Sequence, residues 1–229
     1  MKLYVAMVGL PARGKSTLAK RIRSGLEQQG IRTAIFNNGE LRRMLFGLES
    51  GSAEFFNPDN TRAQRLRDQI THQNMERARA WLDEGGDVAI IDATNGTVHQ
   101  RVDLSATLRD RPVLFIECVN DDPLLLDASI RRKTRLPEFA NMTQEEALES
   151  FRKRLASTRA YTPRSAKSGA GYAWTPWTAA FRTKPRATTS RIMRPSATSF
   201  PPAGCRICIS CGMVRRTTTA RADSAGIRL

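Results

Sequence analysis

Residues 9–16 read GLPARGKS, a match to G-x-x-x-x-G-K-[ST], and they stand between an apolar run and a helical stretch. No other feature constrains the fold as strongly. The pattern requires a strand ending at Gly9, a curled backbone whose N–H groups face phosphate oxygens, and a helix whose N-terminus points at the same anion. Gly9 and Gly14 allow the curl, Lys15 has the reach for β- and γ-phosphates, and the Ser16 hydroxyl is an oxygen ligand suited to Mg²⁺. The bland alternative is a glycine-containing turn with a chance Lys-Ser; the strand before it and the helix after it weigh against that.

Around this loop, residues 1–163 alternate between strand and helix signals. Strands are expected at 3–8, 33–36, 88–91 and 112–119. Helices are expected at 16–29, at 61–83 before Gly85-Gly86, between the last two strands, after Pro123, and at 143–158. The last opens on Thr143-x-x-Glu146, a capping-box pattern. Such alternation implies an α/β fold with a P-loop NTPase-type, mostly parallel sheet and helices on both faces.

The charge of +15 suggests a nucleic-acid binder until it is divided along the chain. Residues 1–163 hold 25 basic and 21 acidic side chains, whereas 164–229 hold 12 basic and one acidic, Asp223. The excess therefore belongs to the C-terminal segment and says little about the main domain's ligand. That segment has only eight Leu, Ile, Val or Phe in 66 residues, too few to offset its ordering entropy, so a poorly ordered basic tail without a packed core is expected. It shows charge without a stacking-platform pattern, so no nucleic-acid partner is expected. No run approaches the roughly 18 apolar residues of a membrane helix. The opening MKLYVAMVGL is too short for a signal peptide, and four Cys make no disulfide framework; a cytoplasmic, reduced protein is expected.

The strand VAIID delivers Asp92 at its C-terminal end, where open parallel sheets bind ligands. A carboxylate there can hold Mg²⁺ or accept the proton of an attacking hydroxyl; it can also merely cap the next helix. Arg42, Arg43, Arg62, Arg65 and Arg67 flank FFNPDN at 55–60, and planar guanidiniums suit an anionic acceptor. Periodicity alone does not choose among them, since helix arginines also form solvated faces. His72 and His99 stand isolated, which favours helix-surface roles over metal ligation.

Taken together, MVGLPARGKS, FNNGELRR, FFNPDN, VAIIDATN, FIECVNDDP and FRKRL, in this order, resemble the kinase domain of the bifunctional 6-phosphofructo-2-kinase/fructose-2,6-bisphosphatase family over about residues 3–163. The resemblance implies transfer of the ATP γ-phosphoryl, with Mg²⁺, to the 2-hydroxyl of fructose 6-phosphate. It maps the nucleotide site onto Gly9, Leu10, Pro11, Ala12, Arg13, Gly14, Lys15, Ser16, Thr17 and Ser129. Lys15, Asp92 and Lys133 take catalytic roles, and Ser16 and Asp92 hold the metal. Arg42, Arg67, Thr94, Arg154 and, with one gap allowed, Lys133 contact the sugar phosphate. The chain departs from the pattern where an Arg is expected after DATN: Gln100 stands there with Arg101 beside it as the substitute contact. Thr158 stands where a Tyr is expected, with Tyr161 nearby, and Asn120 where some members have Cys. Another small-molecule P-loop kinase, or a nucleotide-binding remnant without turnover, are the competing readings.

Members of that family continue into further strands and a phosphatase domain opening on Arg-His-Gly-Glu. In 164–229 there is instead Cys205-x-x-Cys208-x-x-Cys211, which invites a metal or iron–sulfur reading. A shifted reading frame accounts for it better: starting each codon at the third base of the previous one, 211–215 permits Arg-His-Gly-Glu and 206–210 permits Asp-Leu-Tyr-Leu-Val. The expected organisation is thus a kinase-like domain at 1–163 and a frameshifted remnant at 164–229, with no phosphatase activity.

Overall fold

The computed structural model describes residues 2–161 and 205–212. Five strands, β1 (Leu3–Val8), β2 (Thr33–Asn37), β3 (Val88–Asp92), β4 (Val113–Asn120) and β5 (Cys205–Gly212), form one sheet in the order β2-β3-β1-β4-β5. The first four are parallel and β5 runs antiparallel along β4. Six helices among the described residues connect or flank them: α1 (Lys15–Glu27), α2 (Asn38–Phe46), α3 (Thr61–Asp83), α4 (Val98–Thr107), α5 (Pro123–Lys133) and α6 (Gln144–Tyr161).

The central strands are apolar on both faces, as a parallel sheet covered by helices requires. Tyr4, Ala6 and Val8 of β1 join Ala89 and Ile91 of β3 against Met75, Ala78 and Leu82 of α3 and Leu104 of α4. The alternate residues Val5, Met7, Val88 and Ile90 face Ala19, Leu18 and Ile22 of α1. A smaller cluster, Ile130, Phe139, Ala147, Leu148 and Phe151, ties α5 to α6 through a single 3₁₀ turn at Pro137–Phe139. Burial of these side chains is the main stabilising contribution, about 1.5–3 kcal/mol for each large one.

The expected strands and helices are present with ends that coincide or shift by up to three residues, as helix and strand termini usually do. The capping box of α6 is present: Glu146 N–H donates to Thr143 Oγ1 at 3.3 Å, and Thr143 N–H to Glu146 Oε2 at 2.8 Å. Two elements were not expected. One is α2, whose opening Asn-Asn-Gly reads as a turn. The Asn37 side chain instead caps the helix by accepting from Glu40 N–H at 2.9 Å. The other is β5, eight residues of the C-terminal segment in which no strand was expected. It pairs with the outer edge of β4, which would otherwise present open N–H and C=O groups. The rest of that segment lies outside the described residues. No helix among the described residues is long and apolar enough to cross a membrane.

Candidate active site

The C-terminal ends of the parallel strands open into one cleft of about 1400 Å³. Parallel topology fixes this placement, because all four strands deliver their ends, and the turns that follow, to the same edge. Gly9 follows β1 with φ 135°, and a side chain there would put Cβ 2.6 Å from the Cys118 carbonyl of β4. The loop then passes Ala12, a non-glycine residue at φ 62°, and reaches Gly14 at φ 87°, which precedes α1. Lys15 Nζ donates back to the Leu10 carbonyl at 2.8 Å, so the loop is already closed around the lysine. Burial pushes the Lys15 ammonium down to about 8; Asp92 opposes the shift and Lys133 adds to it. Arg13 is also buried: its Nη1 lies 3.6 Å from Asp121 Oδ1 and makes no hydrogen bond among the described residues.

Asp92 closes β3, 4% exposed. Parallel register sets it beside Asn37, whose Nδ2 donates to Asp92 Oδ2. The same Asn37 holds α2 through its other side-chain atom, so one residue orients the carboxylate and starts the helix. The turn after Asp92 is fastened to β1: Gly9 N–H donates to the Thr94 carbonyl at 2.9 Å and Asn95 Nδ2 to the Met7 carbonyl at 2.9 Å. Asp92 and the phosphate loop are therefore held as one rigid edge. Lys133, at the end of α5, faces it; burial lowers the Lys133 pKa and Asp92 opposes that shift.

Across the cleft, α2 and α6 bring three guanidiniums onto one carboxylate, Glu138, whose side chain is 1% exposed. Arg42 Nη2 donates to Glu138 Oε2, Arg43 Nη1 to the same oxygen at 3.0 Å, and Arg154 Nη1 to Oε1 at 2.9 Å. Phe56 forms a platform beneath them, 3.7 Å from the Arg154 Cζ and 5.2 Å from that of Arg42. Burial alone would raise the Glu138 pKa; the guanidiniums of Arg42, Arg154 and Arg43 overcome it and hold the carboxyl below its usual range. Burial, with Arg42 beside it, pushes Arg154 down to about 9, still cationic at neutral pH.

Most residues singled out from the sequence meet in this cleft. Pro11, Ala12, Arg13, Gly14, Lys15, Ser16, Thr17, Asp92, Thr94, Ser129 and Lys133 line one side, and Arg42, Arg67 and Arg154 the other. Gly9 and Leu10 act through backbone behind the loop. Arg101 does not line the cleft; its Nη1 donates to the carbonyls of Asn95 and Gly96 at 3.0 and 2.9 Å, bracing the turn after Asp92. Gln100 lines it, but its side chain serves the capping box of α4 with Thr97. Arg67 donates to the Phe55 carbonyl, while Arg62 and Arg65 are exposed on α3. Asn37 and Glu138 were not anticipated as site residues. The parallel register of β2 and β3 could have pointed to Asn37; no local signal marks Glu138.

Ser16 and Asp92 supply oxygen donors, the chemistry Mg²⁺ prefers, and Asp92 has one oxygen not taken by Asn37. Among the described residues no cluster of three or more His, Cys, Asp or Glu forms a denser metal site.

The family model for 6-phosphofructo-2-kinase matches residues 1–172. The chain is 37% identical over 155 residues to 6-phosphofructo-2-kinase/fructose-2,6-bisphosphatase 3 of Rattus norvegicus, covering 66% of this chain and 28% of that protein. It is 36% identical over 171 residues to 6-phosphofructo-2-kinase 1 of Saccharomyces cerevisiae, covering 71% and 21% respectively. The chain thus spans less than a third of either relative's length. Among solved structures, an APS kinase of Mycobacterium tuberculosis in complex with AMPPNP and APS aligns at 16% identity and a TM-score of 0.42, over 68% of this chain and 98% of that one. That structural likeness is too distant to bear on the site. With a phosphate loop, a strand-end carboxylate and an arginine cluster facing one cleft, and with the family model covering its first three quarters, the chain belongs to the 6-phosphofructo-2-kinase family.

Proposed function

We propose that this chain transfers the γ-phosphoryl of ATP to the 2-hydroxyl of fructose 6-phosphate, giving fructose 2,6-bisphosphate and ADP. The observation that carries the reading is a single cleft with a phosphate loop on one side and a buried arginine cluster on the other. A P-loop kinase acting on an uncharged acceptor has no need of the second feature. The relatives' names supply the sugar.

In this reading the phosphate loop and Lys15 bind the nucleotide, with Ser129 and Thr17 lining the same cleft. Arg42, Arg67, Arg154, Thr94 and Lys133 hold the acceptor so that its 2-hydroxyl faces the γ-phosphorus in line. The oxygen–phosphorus bond to the sugar forms as the bond to the ADP oxygen breaks, and the hydroxyl proton passes toward Asp92. Lys15 and Lys133 offset charge that develops on the transferring group. Mg²⁺, which Ser16 and Asp92 would hold, adds charge neutralisation when bound. A cytoplasmic setting with small-molecule partners, and no nucleic acid or membrane, belongs to the same reading. So does the out-of-frame origin of 164–229, which the gene's DNA tests: the shifted frame must encode Arg-His-Gly-Glu at 211–215.

Phosphorus NMR of the reaction mixture tests the chemistry. The reading expects a new phosphate ester at the anomeric carbon, alongside ADP. Phosphate appearing at the 1-hydroxyl, or on a different acceptor only, would replace the assignment with another P-loop kinase activity.

A further inference from the structure

We infer that Glu138 is a positioning residue for the acceptor: it gathers the Arg42, Arg43 and Arg154 guanidiniums into one receptor and leaves two of their three positive charges for a phosphate monoester dianion. The inference rests on the proposed acceptor reading and adds a residue to it.

The charge count is the first observation. Three guanidiniums converge on one carboxylate, and a cluster serving stability alone would not keep buried cations in such excess, because unmatched buried charge is costly. A phosphate monoester carries close to two negative charges above its second pKa of about 6. Lys133 stands nearby and feels the charge of Asp92 more strongly than that of Glu138.

The donors are the second observation. Arg42 Nε and Arg154 Nε are buried and have no hydrogen-bond partner among the described residues. Buried guanidinium donors are normally satisfied, so two left unpaired mark a cluster that is not arranged for stability alone. Glu138 takes terminal Nη atoms of both arginines, and Phe56 stacks on their Cζ atoms, so both guanidiniums are held in place around the one carboxylate.

The seat of Glu138 is the third. It sits in the 3₁₀ turn Pro137–Phe139, with Phe139 anchored in the α5–α6 core. Gly51 packs against it so closely that an added Cβ would lie 3.0 Å from Glu138 Cβ, Cγ and Cδ. Gly51 is thus a handle for displacing the carboxylate without altering any charge.

Calorimetric titration of the whole chain, with a non-hydrolysable ATP analogue and Mg²⁺ present, tests the inference. The probes are fructose 6-phosphate, inorganic phosphate and fructose. Glu138→Gln should weaken both phosphate-bearing probes by about tenfold or more, with ATP-analogue affinity held within about twofold. Glu138→Asp, which keeps the charge, should recover part of the loss. Gly51→Ala should weaken the same two probes and spare the nucleotide. If Glu138→Gln does not fold, Gly51→Ala decides. Phosphate binding in these variants equal to or tighter than wild type would overturn the inference. Wild-type binding of inorganic phosphate without fructose 6-phosphate, still lost in the variants, would uphold Glu138 and reject the sugar assignment instead.

Discussion

Lys15 shows most plainly how a single side chain here trades stability for function. It is buried near Asp92 and Lys133, and its pKa falls from 10.5 to about 8. The folded state therefore disfavours the charged form that phosphate binding needs. The sign follows: below about pH 8 the ammonium is charged in both folded and unfolded chain and the whole penalty is present; it is relieved as pH rises from about 8 toward 10.5. A shift of that size corresponds to about 3 kcal/mol. Lys15→Met should remove most of it, raising the melting temperature of the ligand-free chain by several degrees at pH 7 while reducing turnover by at least about a thousandfold. Thermal unfolding with and without ATP measures both effects, since the variant should also lose stabilisation by nucleotide. A lower melting temperature would mean that Lys15 earns its place structurally. The same ionisation makes nucleotide affinity weaken as pH passes about 8 in the wild type, a trend that titration of ATP across pH 6–9 can follow.

At the scale of elements, the phosphate loop was legible in the sequence because its chemistry is local: glycines, lysine and serine lie within eight residues. Gly9→Ala illustrates what the spacing encodes. The substitution would force φ 135° on a residue with a Cβ and drive that atom into the Cys118 carbonyl. Destabilisation of about 2–4 kcal/mol is expected, with loss of nucleotide binding, and denaturant unfolding checks the magnitude. The arginine cluster was legible only in part. Arg42 and Arg154 followed from the resemblance, but Glu138 lies 96 and 16 residues from them, so nothing local marks the carboxylate that joins them. For α2, the Asn-Asn-Gly opening has turn composition, and only the cap from Asn37 to Glu40 N–H reveals a helix start. Arg101 fell outside the cleft because a helix position adjacent to the expected one points roughly 100° away, here toward the carbonyls behind Asp92.

For the molecule as a whole, alternation of strands and helices sufficed to place the four parallel strands, since each is a mostly apolar run between polar turns. The fifth strand was hidden by averaging: a segment poor in large apolar residues over 66 positions still contains CRICISCG, eight residues able to pair an edge. This pairing covers β4, whose side chains are largely buried. A chain ending at Tyr161 would leave that edge open, and it should self-associate where the 229-residue chain does not. Size-exclusion chromatography with light scattering at several concentrations reads this out. A monodisperse shortened chain would show that β5 is dispensable.

The central claim is that the phosphate loop and the arginine cluster serve one reaction. ADP release by the purified 229-residue chain, with Mg²⁺ and ATP, in the presence and absence of fructose 6-phosphate, tests it most directly. The account predicts stimulation by the sugar phosphate in the wild type and none in Lys15→Met. Nucleotide binding without stimulation, or stimulation that survives the loss of Lys15, would contradict it.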